Sequence, residues 1–138
     1  MSSENVEIVR EIYKSVEENG GFPDALLADD IEWVNPPDAV EGGVRRGRDA
    51  FHKAARSAQE PFEEAIVVPD RWIDDGDQVV LLCHWEVKGR ASGLERRQPQ
   101  GHVWKLRDGK ATSFAWFNDH ESALRAAGVE PEDRTEEL

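Results

Sequence analysis

The chain has 138 residues, 38% of them hydrophobic and 33% charged, the balance of one globular domain with a core of its own. Its formal net charge of -12 argues against nucleic acid and anionic membrane surfaces, which call for clustered Lys and Arg. Cys83 is the single cysteine, which excludes an internal disulfide, a CxxC pair and a multi-cysteine zinc site.

In chain order, Ser2 and Ser3 can cap a first helix, with Glu4 in its opening turn. Val6, Val9, Tyr13 and Val16 then recur at spacings of three and four, so they share one face. This segment is mixed in charge and has no basic start followed by an apolar run, so no signal peptide is expected. No apolar stretch reaches membrane-spanning length, and the expected location is the cytoplasm. Gly20 and Gly21 stop the helix. Residues 22–28 read as a short second helix with Leu26 and Leu27 facing in. Residues 31–35 read as a brief strand closed by Pro36 and Pro37, because proline ends ladder pairing. Residues 42–47 form a loop carrying Arg45 and Arg46, and residues 48–59 a third helix ended by Pro61.

The period then changes to two. Residues 62–74 are a strand interrupted near Pro69, followed by a hairpin turn at Asp75-Gly76-Asp77. Residues 78–90 are a long strand with Val79, Leu81, Cys83, Trp85 and Val87 on one face and Val80, Leu82, His84 and Glu86 on the other. Both faces are apolar over its first half, so both should be covered. Residues 94–107 and 110–118 are the last two strands, joined at Asp108-Gly109. A short helix over residues 121–127 ends at Gly128. Three helices followed by an antiparallel meander predict an α+β domain, the helices packed on one face of a curved sheet. Val80, Leu82, Trp104 and the histidines are expected on the other face, where a second copy of the chain would supply the cover in a homodimer. The acidic residues Glu130, Glu132, Asp133, Glu136 and Glu137 mark residues 129–138 as a solvated tail after a domain of residues 1–128.

Several motifs in this order resemble a known family. They are the opening Val6-Glu7-Ile8-Val9-Arg10-Glu11-Ile12-Tyr13, the strand Ile31-Glu32-Trp33-Val34-Asn35-Pro36 and the loop Arg46-Gly47-Arg48. The hairpin from Gly101-His102-Val103-Trp104 to Asp108-Gly109-Lys110 and the segment Ala123-Leu124-Arg125-Ala126-Ala127-Gly128 complete the set. Together they resemble the SnoaL-like branch of the nuclear-transport-factor-2-like, or ketosteroid-isomerase-like, superfamily over residues 4–128. The resemblance implies a cone-shaped fold enclosing a pocket, and no metal or organic cofactor. Such folds host isomerases, cyclases, dehydratases, hydrolases and pure binding domains, so the fold does not choose among them.

By this resemblance the pocket lining would be Tyr13, Trp33, Asn35, Leu81, Cys83, Trp85, Gly101, Val103, Phe114, Trp116 and Asn118. Alternation independently groups Leu81, Cys83 and Trp85, and likewise Phe114, Trp116 and Asn118. An apolar chamber with a few polar tips suits a small hydrophobic ligand of polyketide, steroid or terpenoid type. Ala54 and Ala55 stand where related isomerases have larger aromatics, which favours open space; the competing reading is a core that side chains fill completely.

A ketosteroid isomerase needs a carboxylate base and an oxyanion hole of a tyrosine and a protonated aspartic acid. The resemblance puts Tyr13 at the tyrosine position, Asn35 at the base and Gly101 at the second donor. An amide cannot accept the proton, so that design is rejected. His120, beside Asn118 and Asp119, is the remaining candidate base, against a plain role opening the final helix, for which Asp119 would be the cap. His84 and His102 are expected to point away from the pocket. No HxH or HxxxH spacing occurs among the histidines, so no metal site is expected. Cys83, between apolar neighbours, reads as inert core. Lys88, Arg90, Arg96, Arg97, Lys105 and Arg107 form a basic cluster that is either a solvated, locally paired face or an attractor for a ligand carboxylate or phosphate. The function classes left open are a cofactor-independent enzyme, a binding module for a small hydrophobic molecule, and a structural dimerisation domain.

Overall fold

In the computed structural model, residues 4–39 and 42–129 and the backbone of 135–137 are described. Helix α1 spans Glu4–Asn19 and buries Val6, Val9 and Ile12, the face that the spacing foretold, with Tyr13 half-buried beside them. The proposed serine cap of this helix lies outside the described residues.

Residues 22–28 do not form the expected helix. Asp24–Leu26 makes one 3-10 turn, and Leu27 already begins strand β1, which runs to Val34. Between Pro23 and the Asp29-Asp30 pair the run is too short for a stable α-helix, and Leu27 gains full burial by joining the sheet. Val44–Arg46, read as loop, adds a short strand β2 against β1. Helix α2 is Arg48–Gln59, as expected.

Strands β3 (Phe62–Asp75), β4 (Gln78–Gly89), β5 (Glu95–Arg107) and β6 (Lys110–Phe117) form the antiparallel meander. The interruption near Pro69 is a register shift between Pro69 and Arg71, a bulge where a residue without an N–H costs least. Asp108 and Gly109 both have positive φ, 53° and 78°, which the tight turn between β5 and β6 requires. Helix α3, His120–Ala127, follows the sheet, so the helices are not all N-terminal.

The sheet order is β2-β1-β6-β5-β4-β3, with a short strand β7 (Thr135–Glu137) at the edge beyond β3. One pairing departs from the antiparallel expectation: β1 runs parallel to β6, so the sheet is mixed. Strand β7, Thr135–Glu137, pairs its backbone with Arg71–Ile73 of β3, so part of the expected free tail joins the sheet edge. Glu130, Glu132 and Asp133 lie outside the described residues.

Strand β4 is indeed covered on both faces. On the inner side, α1 and α2 close over a cluster containing Trp33, Phe51, Trp72, Leu81, Cys83, Trp104 and Phe114. On the outer side, Ile73, Val80, Leu82 and Val103 pack under Ala123 of α3. The cover expected from a second copy over Val80 and Leu82 therefore comes from the chain's own last helix. Trp104, expected outside, is fully buried inside.

Candidate functional site

Strand β5 decides the chemistry of the interior. Its Gln100, His102, Trp104 and Leu106 face the inner cluster, while Gly101 and Val103 face α3. Register requires this, since His102 pairs with Leu81 and Trp116, and Gly101 with Leu82 and Phe117. Gly101 and Val103 are thus not pocket residues. A Cβ built on Gly101 would stand 2.2 Å from Cβ of Ala123, so the glycine serves helix docking. His102, expected to point away, is an interior residue only 4% exposed. Alternation along β5 carries this signal: exposed Lys105 and Arg107 share parity with Val103, leaving Trp104 and His102 for the core.

The inner polar atoms form a directed chain. Trp104 Nε1–H donates to the Tyr13 hydroxyl at 2.9 Å. The Tyr13 hydroxyl and His102 Nδ1 are 2.5 Å apart, and His102 Nε2 and Gln100 Oε1 are 2.9 Å apart. An amide oxygen only accepts, so Nε2 carries the imidazole proton; in the neutral ring Nδ1 then accepts from Tyr13. Tyr13 and His102 also stack, with ring centroids 5.9 Å apart and planes within 9°. Burial pushes the His102 pKa down to about 3. Burial chiefly, and Cys83 secondarily, raise the Tyr13 pKa well above its ordinary value. Burial and then Asp70 push the Cys83 thiol up to about 12. The three titratable groups of this inner chain are therefore all uncharged near neutral pH.

Asn35 ends β1 with a second polar knot. Its Oδ1 accepts from Trp33 Nε1 and from Trp116 Nε1, each at 2.8 Å. The side chain therefore fixes two indoles rather than taking a proton. Leu81, Cys83 and Phe114, expected to line the pocket, lie on the inner face and are buried in its cluster. Trp85 is half-buried against Phe62, with centroids 4.8 Å apart, and Asn118 is exposed beyond the end of β6. Ala54 and Ala58 of α2 are half-buried against the inner cluster, one turn apart.

His120 lies on the other side of the sheet. Its Nε2 stands 2.9 Å from the Cys83 carbonyl oxygen, and its ring is 5.7 Å from that of His84, whose Nδ1 meets the Asp70 carboxylate. It cannot act on a molecule held between the sheet and α1. Asp119 caps α3, accepting from the Ser122 N–H at 2.6 Å, which with the Ser122 hydroxyl holds its pKa low. Among the described residues, no group of three or more His, Cys, Asp or Glu side chains is placed to hold a metal ion. The basic cluster is mostly committed locally: Lys88 to Glu63, Arg97 to Glu86, Arg107 to Asp30, and Arg90 to the carbonyls of Glu60 and Phe62. Arg46 pairs with Glu32, which raises its pKa.

A family model described as a SnoaL-like domain matches residues 19–114. The chain belongs to the SnoaL-like family. Among solved structures, an NTF2-like protein of unknown function from Burkholderia pseudomallei is 26% identical, with a TM-score of 0.73, over 90% of this chain and 97% of its own. TerC, co-crystallised with polyporic acid, is 23% identical with a TM-score of 0.70, over 92% of this chain and 100% of its own. A protein of ketosteroid-isomerase-like fold from Catenulispora acidiphila, in complex with trimethylamine, is 19% identical with a TM-score of 0.69, over 91% and 95% of the two chains. No curated protein matches. Within this SnoaL-like domain, the residue that meets Tyr13 is His102, not Gly101, and the end of β1 offers Asn35. No helix among the described residues is long and apolar enough to cross a membrane.

Proposed function

We propose that this SnoaL-like domain binds a small, largely apolar, uncharged molecule within the cone without exchanging protons with it. The carrying observation is the inner face itself: a surface rich in aromatic rings whose titratable side chains Tyr13, Cys83 and His102 are held neutral. A proton shuttle needs a group that ionises near the working pH, and these three are displaced from that range. A binding site needs apolar walls and a few oriented polar tips, which Trp33, Trp116, Phe114 and the Asn35 and Gln100 amides supply. Trp116 and, on α2, the small Ala54 and Ala58 are half-buried at the margin of the inner cluster, which supports an entrance there. TerC, which shares the fold, was co-crystallised with a small organic compound.

The test is uptake of N-phenyl-1-naphthylamine, an uncharged dye whose emission rises in apolar surroundings. Saturable enhancement is expected from the native protein. Ala58→Trp, which places a bulky ring into the entrance, should abolish it while the circular dichroism spectrum stays native. A native protein that gives no enhancement at any concentration would rule the reading out.

We further place a homodimer contact on the part of the outer face that α3 leaves open. There Ile66 is 54% exposed, in the same row as the Glu86–Arg97 ion pair. An aliphatic side chain flanked by both signs of charge suits a two-fold, self-complementary surface. Light scattering reads the assembly directly.

A further inference from the structure

The interior has a surplus of hydrogen-bond donors. Each of its side-chain acceptors already has a donor: Tyr13 Oη has Trp104, His102 Nδ1 has Tyr13, Gln100 Oε1 has His102, and Asn35 Oδ1 has two indoles. Three donors remain with no protein acceptor among the described residues. They are the amide nitrogens of Gln100 and Asn35 and Nε1 of Trp72, the last wholly buried. Gln100 is only 5% exposed, yet its nitrogen is not among the walled-off atoms, so what surface it has left opens on accessible space. A buried donor without a partner is costly, whereas supplying an acceptor recovers a full hydrogen bond.

We propose that the guest carries an uncharged carbonyl oxygen, as a ketone, quinone or ester does, and that the Gln100 amide N–H receives it. This rests on the binding reading above and narrows it to one ligand class. The direction is set by the chain Trp104–Tyr13–His102–Gln100, each link of which must donate toward the next. Trp104 has a donor only, so the relay starts there and ends with the Gln100 amide group turned outward from the imidazole. A carboxylate suits the place less well than a ketone, because the groups of the chain are neutral and buried and offer no countercharge.

Three bicyclic probes of nearly equal size separate the possibilities: indane has no polar atom, 1-indanone adds an acceptor, and indole a donor. Binding is followed by 15N–1H spectra of the intact protein, in which the Gln100 amide and the tryptophan indole signals are read directly. The ketone should bind about five- to tenfold more tightly than indane, the worth of one hydrogen bond, and should shift the Gln100 amide resonances. Indole should bind no better than indane. Gln100→Leu should erase the ketone's advantage and leave indane unaffected. Gln100→Glu, which keeps an acceptor for His102 Nε2–H, should do the same if the leucine variant folds poorly.

Equal binding of indane and 1-indanone, or an advantage that survives both variants, overturns the carbonyl assignment while the dye result still supports a pocket. A preference for indole overturns it by showing an acceptor where a donor is assigned. Failure of all three probes together with the dye overturns both readings.

Discussion

The inner and outer faces of one sheet reach burial by opposite means. The inner face carries large rings, Trp33, Trp72, Trp104 and Phe114; Asn35 orients the indole N–H of Trp33, and the chain of Tyr13, His102 and Gln100 orients that of Trp104. The outer face carries the aliphatic side chains Ile73, Val80, Leu82 and Val103, pressed under Ala123, and beyond them a fringe of ion pairs. Order is imposed inside by hydrogen-bond direction and outside by shape. Mutations should separate the two: outside, added volume does the damage, and inside, added charge.

The largest effect is expected outside, at Gly101. Gly101→Ala puts a backbone-mounted Cβ within 2.2 Å of Cβ of Ala123 and 3.4 Å of the Asp119 carbonyl oxygen. Neither neighbour is a flexible tip, so α3 must shift, at a cost of about 3 kcal/mol in urea unfolding. Ala123→Gly removes one side of the clash but weakens the helix by about 1 kcal/mol. The double variant should therefore be more stable than Gly101→Ala alone, and the two changes strongly non-additive. Simple additivity would mean that α3 does not sit on Gly101.

That clash also shows where the sequence could be read and where it could not. The long elements were legible because one rule governs each. Val6, Val9 and Tyr13 kept helical spacing, and Val79, Leu81 and Cys83 kept strand alternation. The parallel β1–β6 pair was not legible, since hydrophobic periodicity is blind to the direction of a neighbouring strand. On β5, carrying positions over from the related fold put Gly101 and Val103 in the pocket, whereas the exposed Lys105 and Arg107 already pointed the other way. His120 could not be placed from the sequence because its side of the sheet depends on how the last turn enters α3. The identity of the interior polar chain depends on contacts between residues as far apart as Tyr13 and Trp104, which no local pattern encodes.

The next effect belongs to the inner face and is read by acid. His102 has a folded pKa of about 3, below the ordinary value near 6.5 it has when unfolded. The native state then binds fewer protons than the unfolded chain, so stability rises with pH. This contribution is complete above about pH 6.5 and is lost as pH falls toward the folded value. Between about pH 6.5 and 5 the loss amounts to about 2 kcal/mol. His102→Asn keeps an acceptor near Nδ1 and cannot titrate, so its urea midpoint should depend less on pH by that amount. Nitrogen-15 spectra should show the wild-type imidazole still neutral at pH 5. A ring that titrates near its ordinary value would mean water reaches it, and the inner face would lose its claim to be a dry, uncharged surface.

The smallest effect on folding is expected where the outer face meets solvent. Ile66 has little to lose in the monomer, because more than half of it is exposed. Ile66→Glu should change the unfolding free energy of the monomer by no more than about 0.5 kcal/mol, the usual range for a surface change. Assembly is a different matter. If two copies meet on this face, the variant places an extra like charge beside Glu86 in both copies, and the interface pairs residue against residue about a two-fold axis. Light scattering should then show a dimer for the native chain and a monomer for the variant. The native unfolding midpoint should rise with protein concentration, and the variant's should not. A native chain that is monomeric at every concentration would leave α3 as the outer face's whole cover, and the asymmetry between the two faces would be complete within one chain.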